Sequence, residues 1–136
     1  DGALVDHLGR KGFECLCATD IEAHGDKVIQ WDAFDTEECL GDVFITNPPW
    51  PAIGKHGDPT VSMALHLSDI APTWFLLNAD VIHNKYFTKV ADRCQKIISV
   101  GRVSWAGNGI KGKENCCWIL FDKPGEYQTQ FIGRAA

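Results

Sequence analysis

Short apolar runs recur along this chain, separated by helical or turn-forming stretches, and that alternation restricts the folds open to it. FECLCATDI (Phe13 to Ile21), VIQWDAF (Val28 to Phe34), DVFIT (Asp42 to Thr46), TWFLL (Thr73 to Leu77), KIISV (Lys96 to Val100) and CCWILF (Cys116 to Phe121) all read as strands. Strands that are apolar throughout need cover on both faces, which a parallel sheet flanked by helices provides. Helical patterns lie between them. Asp1 to Lys11 places Leu4, Val5 and Leu8 on one face and stops at Gly12, a natural C-cap. Asp58-Pro59 opens a second helix, with Asp as N-cap and Pro at the first helical position. Met63, Leu67 and Ile70 give that helix its apolar face, and Pro72 ends it. Phe87, Val90, Ala91 and Cys94 mark a third. The expectation is an α/β fold with a mostly parallel twisted sheet, helices on both faces and a last strand at Cys116 to Phe121. With 136 residues and no repeats or linker, residues 1–136 are expected to form one domain around one core. Folds of this kind bind ligands at the carboxyl ends of their strands, which directs attention to Asp20, Asp32 and Asn47.

Composition narrows the function classes. A hydrophobic content of 45% with 23% charged residues is that of an ordinary globular chain. No apolar run approaches the roughly 18 residues needed to cross a bilayer, and no basic-then-apolar leader opens the sequence, so a cytoplasmic location is the expectation. The six cysteines form no C-x-x-C pair, and Cys116 and Cys117 are adjacent. That suits neither a zinc clip nor an easy disulfide, so reduced core thiols are expected. The five histidines show no metal-ligand spacing. The net charge of −5 is unevenly spread. Lys85 to Lys113 holds seven Lys/Arg and one acid, Asp92, a local balance of +6 against −11 elsewhere. Two readings stay open: a face for an anionic substrate on an acidic body, or a solvated helix and loop.

DVFITNPPW is the most informative stretch. Two prolines directly after a strand cannot continue a ladder and fix a rigid, extended turn. Asn47 brings a side-chain carbonyl, Pro48 a backbone carbonyl held in a set direction, and Trp50 a flat apolar face. Two acceptors and an indole suit a planar base with an exocyclic amino group, gripped at both N–H bonds and stacked. The grip serves chemistry, because an aryl amine is a poor nucleophile while its lone pair is delocalised. Accepting both N–H bonds favours a pyramidal nitrogen whose lone pair can point at a methyl group. A second apparent motif fails. Gly107 to Glu114 (GNGIKGKE) has the Gly-x4-Gly-Lys spacing of a phosphate-binding loop, but Glu114 replaces the required Ser/Thr and a strand follows where a helix is needed.

NPPW resembles the [DNS]-P-P-[YFW] motif of S-adenosylmethionine-dependent amino-methyltransferases, most often written for DNA N6-adenine enzymes. The resemblance extends along nearly the whole chain. It implies a Rossmann-like methyltransferase fold with an antiparallel last strand, S-adenosylmethionine as cofactor, and Asn47, Pro48, Pro49 and Trp50 as the catalytic corner. DGALVDHLGRKGFECLCATDI looks like the tail of the family's cofactor motif, of which Asp1-Gly2 remains. Asp20 then matches the carboxylate on the ribose hydroxyls, with Ile21 against the adenine ring. Asp32 in QWDAF matches the acceptor for the cofactor's adenine amine, and Ala33 and Phe34 line that pocket. Downstream, GRVSWAGNGIKGKENCCWILFD resembles the corresponding segment of phage-type adenine methyltransferases. There Trp105, Lys111, Lys113 and Asn115 would border the target base, and His56 lies in the loop just beyond NPPW.

The sequence departs from the family in one respect. A full cofactor motif would begin before Asp1, and the first, central strand of the family's sheet has no counterpart here. The piece alone is therefore expected to bind cofactor weakly and to be inactive. The partner implied is DNA in a bacterial or phage-infected cell. An RNA adenine or protein glutamine methyltransferase, or a catalytically dead nucleic-acid-binding remnant of the fold, are the alternatives.

Overall fold

Pro59, lacking an N–H that the first turn of a helix would leave unbonded anyway, starts the helix that organises this molecule. In the computed structural model, which describes residues 2–49, 59–104 and 109–134, that helix (α2) runs Pro59–Ile70. It buries Thr60, Val61, Ala64, Leu67 and Ser68. The buried face is thus rotated from the Met63–Leu67–Ile70 expectation. Met63 and Ile70 are only half-buried, and small residues make the closest approach to the sheet.

Two sheets are present. Strands β1 (Thr19–Asp20) and β2 (Ile29–Gln30) form a parallel pair. Strands β3 (Phe44–Thr46), β4 (Thr73–Asn78), β5 (Cys94–Gly101), β6 (Cys116–Phe121) and β7 (Gln130–Ile132) form a five-stranded mixed sheet in the order β3-β4-β6-β5-β7. β3 is parallel to β4, and β7 to β5, while β6 runs antiparallel to both its neighbours. All but β6 therefore point the same way, and their carboxyl ends share one edge with the start of β6.

The core follows from the pleat. Thr73, Phe75 and Leu77 of β4 and Cys117, Ile119 and Phe121 of β6 face one side, where they meet Val61, Ala64 and Leu67 of α2. Val81, Val90 and Cys94 complete the cluster. Phe75 and Phe121 meet edge-on at 5.7 Å, a favoured aromatic geometry.

Several expectations are corrected. The helix expected through Phe87 to Cys94 is instead a chain of 3-10 turns, Lys85–Lys89 and Ala91–Arg93, after another at Ala79–His83. Val90 leaves helical geometry at φ −127°, ψ 4°, and Cys94 already belongs to β5. Turns of period three carry Phe87 and Val90 to the core as well as a helix would. The strands expected over Phe13 to Ile21 and Val28 to Phe34 shrink to two residues each. The stretch after β2 curls into a 3-10 turn, Ala33–Asp35. No wider sheet covers these segments among the described residues, and Phe13, Leu16, Ile21, Ile29 and Trp31 stay exposed. Cys116 to Phe121 is not the last strand. β7 follows it, exposed along its whole length and pinned where Thr129 Oγ1 donates to the Cys94 carbonyl at 2.8 Å. Helix α1 (Ala3–Gly9) ends short of Gly12 and buries no side chain. Cover by helices on both faces is therefore not seen among the described residues. Cys94, Cys116 and Cys117 are buried as expected, but Cys15 and Cys17 are exposed. No described helix is long and apolar enough to cross a membrane.

Candidate functional site

β3 carries the chain straight into Asn47-Pro48-Pro49. Phe44 N–H donates to the Pro72 carbonyl, and Thr46 pairs with Phe75, so β3 points toward the carboxyl edge of the sheet and ends beside the middle of β4. Pro48 is buried, while Asn47 and Pro49 are exposed, which leaves the Asn47 amide at the surface beside a fixed ring. The corner has an anchor. Thr60 Oγ1, in the first turn of α2, donates to the Pro49 carbonyl at 2.9 Å, and Thr60 is 2% exposed. Trp50, the fourth member of the expected corner, lies outside the described residues, as do Asp1, Asp58, Trp105 and His56.

The same edge collects the downstream candidates. Asn78 of β4 pairs with Cys116 of β6, which pairs with Gly101 of β5, so three strand ends align. The Asn115 carbonyl accepts from Ala79 N–H at 2.8 Å, which ties the start of β6 to the turn after β4. Asn78 Oδ1 caps that turn by accepting from Asp80 N–H at 2.8 Å. Gly112 N–H donates to the Val103 carbonyl at 2.8 Å, closing the loop that presents Lys111 and Lys113, both exposed. Lys111, Lys113 and Asn115 are thus brought to the edge toward which β3 directs Asn47. Burial raises the thiol of Cys116, at that edge, and pushes those of Cys94 and Cys117 up to about 11. At neutral pH they stay protonated and are not nucleophiles.

The expected cofactor residues cluster separately. Asp20 and Gln30 are register partners in β1 and β2, and Trp31 N–H donates to the Asp20 carbonyl at 3.0 Å. Asp20 and Asp32 therefore leave the small sheet at the same end. Each spends one carboxylate oxygen on its own turn: Asp20 Oδ1 accepts from Glu22 N–H at 3.0 Å, and Asp32 Oδ1 from Phe34 N–H at 2.9 Å. Ile21 is exposed beside Asp20, and Ala33 is half-buried beside Asp32. The Phe34 ring packs 5.9 Å from that of His66. Gly2 is buried at φ 75°, in the left-handed region, so the backbone at the start of α1 favours glycine.

α2 joins the two groups. Thr60 near its start holds Pro49, and His66 farther along donates from Nε2 to the Thr36 carbonyl at 2.9 Å, fixing the turn that follows Asp32. Neither residue stood out in the sequence. A hydroxyl next to the Asp-Pro helix start, reading as one more helix residue, gave no sign that it reached back to the diproline corner. A polar cleft of about 470 Å³ lined by Gln95, Lys96, Glu126 and Tyr127 lies at the opposite edge of the sheet and carries no comparable chemistry.

Among solved structures, the chain is similar to one from a study of the assembly and conformational transition of a type I restriction-modification system. The TM-score is 0.53 at 14% identity over 82% of this chain, so the likeness is one of fold. The match spans 28% of that structure's chain. No family model matches the sequence, and no curated protein does.

Proposed function

We propose that this chain is the methyl-transferring part of an S-adenosylmethionine-dependent enzyme that methylates an exocyclic amino group, N6 of adenine in DNA. One observation carries the reading. The Asn47-Pro48-Pro49 corner follows the carboxyl end of a strand in a mixed α/β sheet, with its backbone pinned by Thr60 and Asn47 exposed. The likeness of fold to a chain of a restriction-modification system supports a role on DNA.

The side chains present suit the cofactor. Asp20 and Asp32 each retain a carboxylate oxygen beyond the one closing their turn, apt for ribose hydroxyls and for an adenine amine. Ile21 and Phe34 offer exposed apolar surface next to those acids. When bound, S-adenosylmethionine supplies an electrophilic methyl on a sulfonium, whose leaving group departs neutral. Asn47 Oδ1 and the Pro48 carbonyl accept the two N–H bonds of the target amine and pyramidalise its nitrogen. Holding reactants in place in this way contributes up to about 7–11 kcal/mol of rate enhancement, so no covalent intermediate is needed. In a duplex the base must first leave the stack, at a cost of a few kcal/mol.

The direct test offers labelled S-adenosylmethionine to the full-length protein with adenine-containing DNA, the matching RNA and a protein extract. Label in DNA, released as N6-methyladenine, is the expected result. Label confined to RNA or to protein overturns the DNA assignment, and no transfer to any acceptor overturns the enzyme.

A further inference from the structure

The carboxyl edge of the sheet carries charge that Asn47 does not explain. Arg102 follows β5, Arg134 follows β7, and Lys111 and Lys113 lie in the loop closed onto Val103. Among the described residues, Asp80, in the turn after β4, and Glu114 stand against them. The opposite edge has the reverse balance. Asp42, Asp69, Asp92, Asp122 and Glu126 gather there around Arg93 and Lys123, and Arg93 is neutralised by Asp69. The basic segment of the sequence is therefore split by the fold. Arg93 serves the body and Lys96 stays at the opposite edge, while Arg102, Lys111 and Lys113 lie at the carboxyl edge, joined by Arg134, which follows a strand the sequence did not reveal.

Arg134 is placed with care. Its guanidinium lies on Gly101, where an added Cβ would sit 2.6 Å from Nη1 and 3.3 Å from Cζ. Gly101 itself adopts φ 80°, in the left-handed region, and that backbone conformation favours glycine there. Among the described residues no carboxylate pairs with Arg134. Arg134 is thus an exposed cation resting against backbone, without a described acid beside it.

We infer that Arg134, laid over Gly101 and flanked by Arg102, binds the phosphate backbone of the nucleic acid whose base is held at Asn47. This rests on DNA being the substrate. The strand order places β7 four steps from β3, and strands lie about 4.8 Å apart, so the two ends are roughly 19 Å from one another. At about 3.4 Å per base step, Arg134 reaches a phosphate about five to six steps from the target. A charge-assisted, bidentate contact of this kind fixes register without reading sequence.

The test measures binding of a fluorescent adenine-containing duplex to the full-length protein across a salt series. Arg134→Ala is expected to weaken binding about three- to tenfold and to lower the slope of log affinity against log salt by about 1. Arg134→Lys should restore the slope, and Lys123→Ala, at the far edge, should leave it unchanged. Arg134 is exposed just beyond β7, and unchanged thermal melting verifies that the variant is folded. Gly101→Ala, which displaces the guanidinium, should reproduce the loss of slope. An unchanged slope in Arg134→Ala overturns the inference, as does a slope that falls equally in Lys123→Ala. The outcome is separable from the methylation reading. If Asn47 proves necessary for methyl transfer while Arg134→Ala binds normally, only the backbone contact is lost. If Arg134→Ala loses its slope while Asn47 proves dispensable, the contact stands and the catalytic corner falls.

Discussion

Thr60 shows how one hydroxyl can set a functional corner. Its hydroxyl, at a nearly fully buried position, donates to the carbonyl of the exposed Pro49, so removing it unties the corner from α2. A buried hydrogen bond contributes about 1 kcal/mol. Thr60→Val, of similar shape, should lower the melting temperature by a few degrees, and Thr60→Ser should recover most of the loss. Both are checked by calorimetric melting. A Thr60→Val variant as stable as wild type would detach the corner from α2. The cysteines divide at this scale too, with Cys39 half-buried between the two groups. Cys15 and Cys17 are exposed, whereas Cys94, Cys116 and Cys117 are buried with raised thiols. Titration with a thiol reagent at pH 8 should give fast reaction at Cys15 and Cys17, confirmed by mass mapping, and none at the buried three until the chain is denatured. Fast labelling of Cys117 would refute the packing.

At the scale of elements, the strength of a sequence pattern tracked how much of it is buried. TWFLL and CCWILF lie in the middle of the five-stranded sheet, and their strands run as expected, with one residue added to the first. Phe75 and Ile119 are fully buried there, and Phe75→Ala should destabilise by about 3–5 kcal/mol in urea unfolding. A loss under 1 kcal/mol would contradict the core described above. The segment Phe87 to Cys94 looked helical because spacings of three and four are shared by an α-helix and successive 3-10 turns. Local pattern cannot separate the two. β7 escaped notice because Gln130–Ile132 is exposed and has no alternating burial to imprint on its sequence. The candidate site was legible where chemistry needs unusual residues, as in Asn47-Pro48-Pro49. It was not legible where ordinary residues act through tertiary contact, as Thr60, His66 and Arg134 do.

Over the whole molecule, the fold sorts charge and burial that the sequence interleaves. Cations gather at the carboxyl edge, acids at the other, and the buried thiols sit in the sheet between them. The thiols make stability depend on pH in one direction. Burial moves Cys94 and Cys117 from an ordinary 9.0 up to about 11. Below 9.0 both the folded and the unfolded chain keep these protons, and the contribution to stability is fully present. Between 9.0 and about 11 the unfolded chain releases protons that the folded one retains, so stability falls as pH rises. Urea midpoints should decline across that window, and less steeply in the Cys94→Ala, Cys117→Ala double variant. A flat profile for the wild type would contradict the burial of these groups. The account as a whole turns on Asn47, and the measurement that reaches it compares the full-length wild type with Asn47→Ala in two assays, S-adenosylmethionine affinity by calorimetry and methyl transfer to duplex DNA. The account predicts cofactor affinity within about twofold of wild type and transfer slowed by roughly a hundredfold or more, the scale on which a lost transition-state contact is felt. Transfer at the wild-type rate would contradict it.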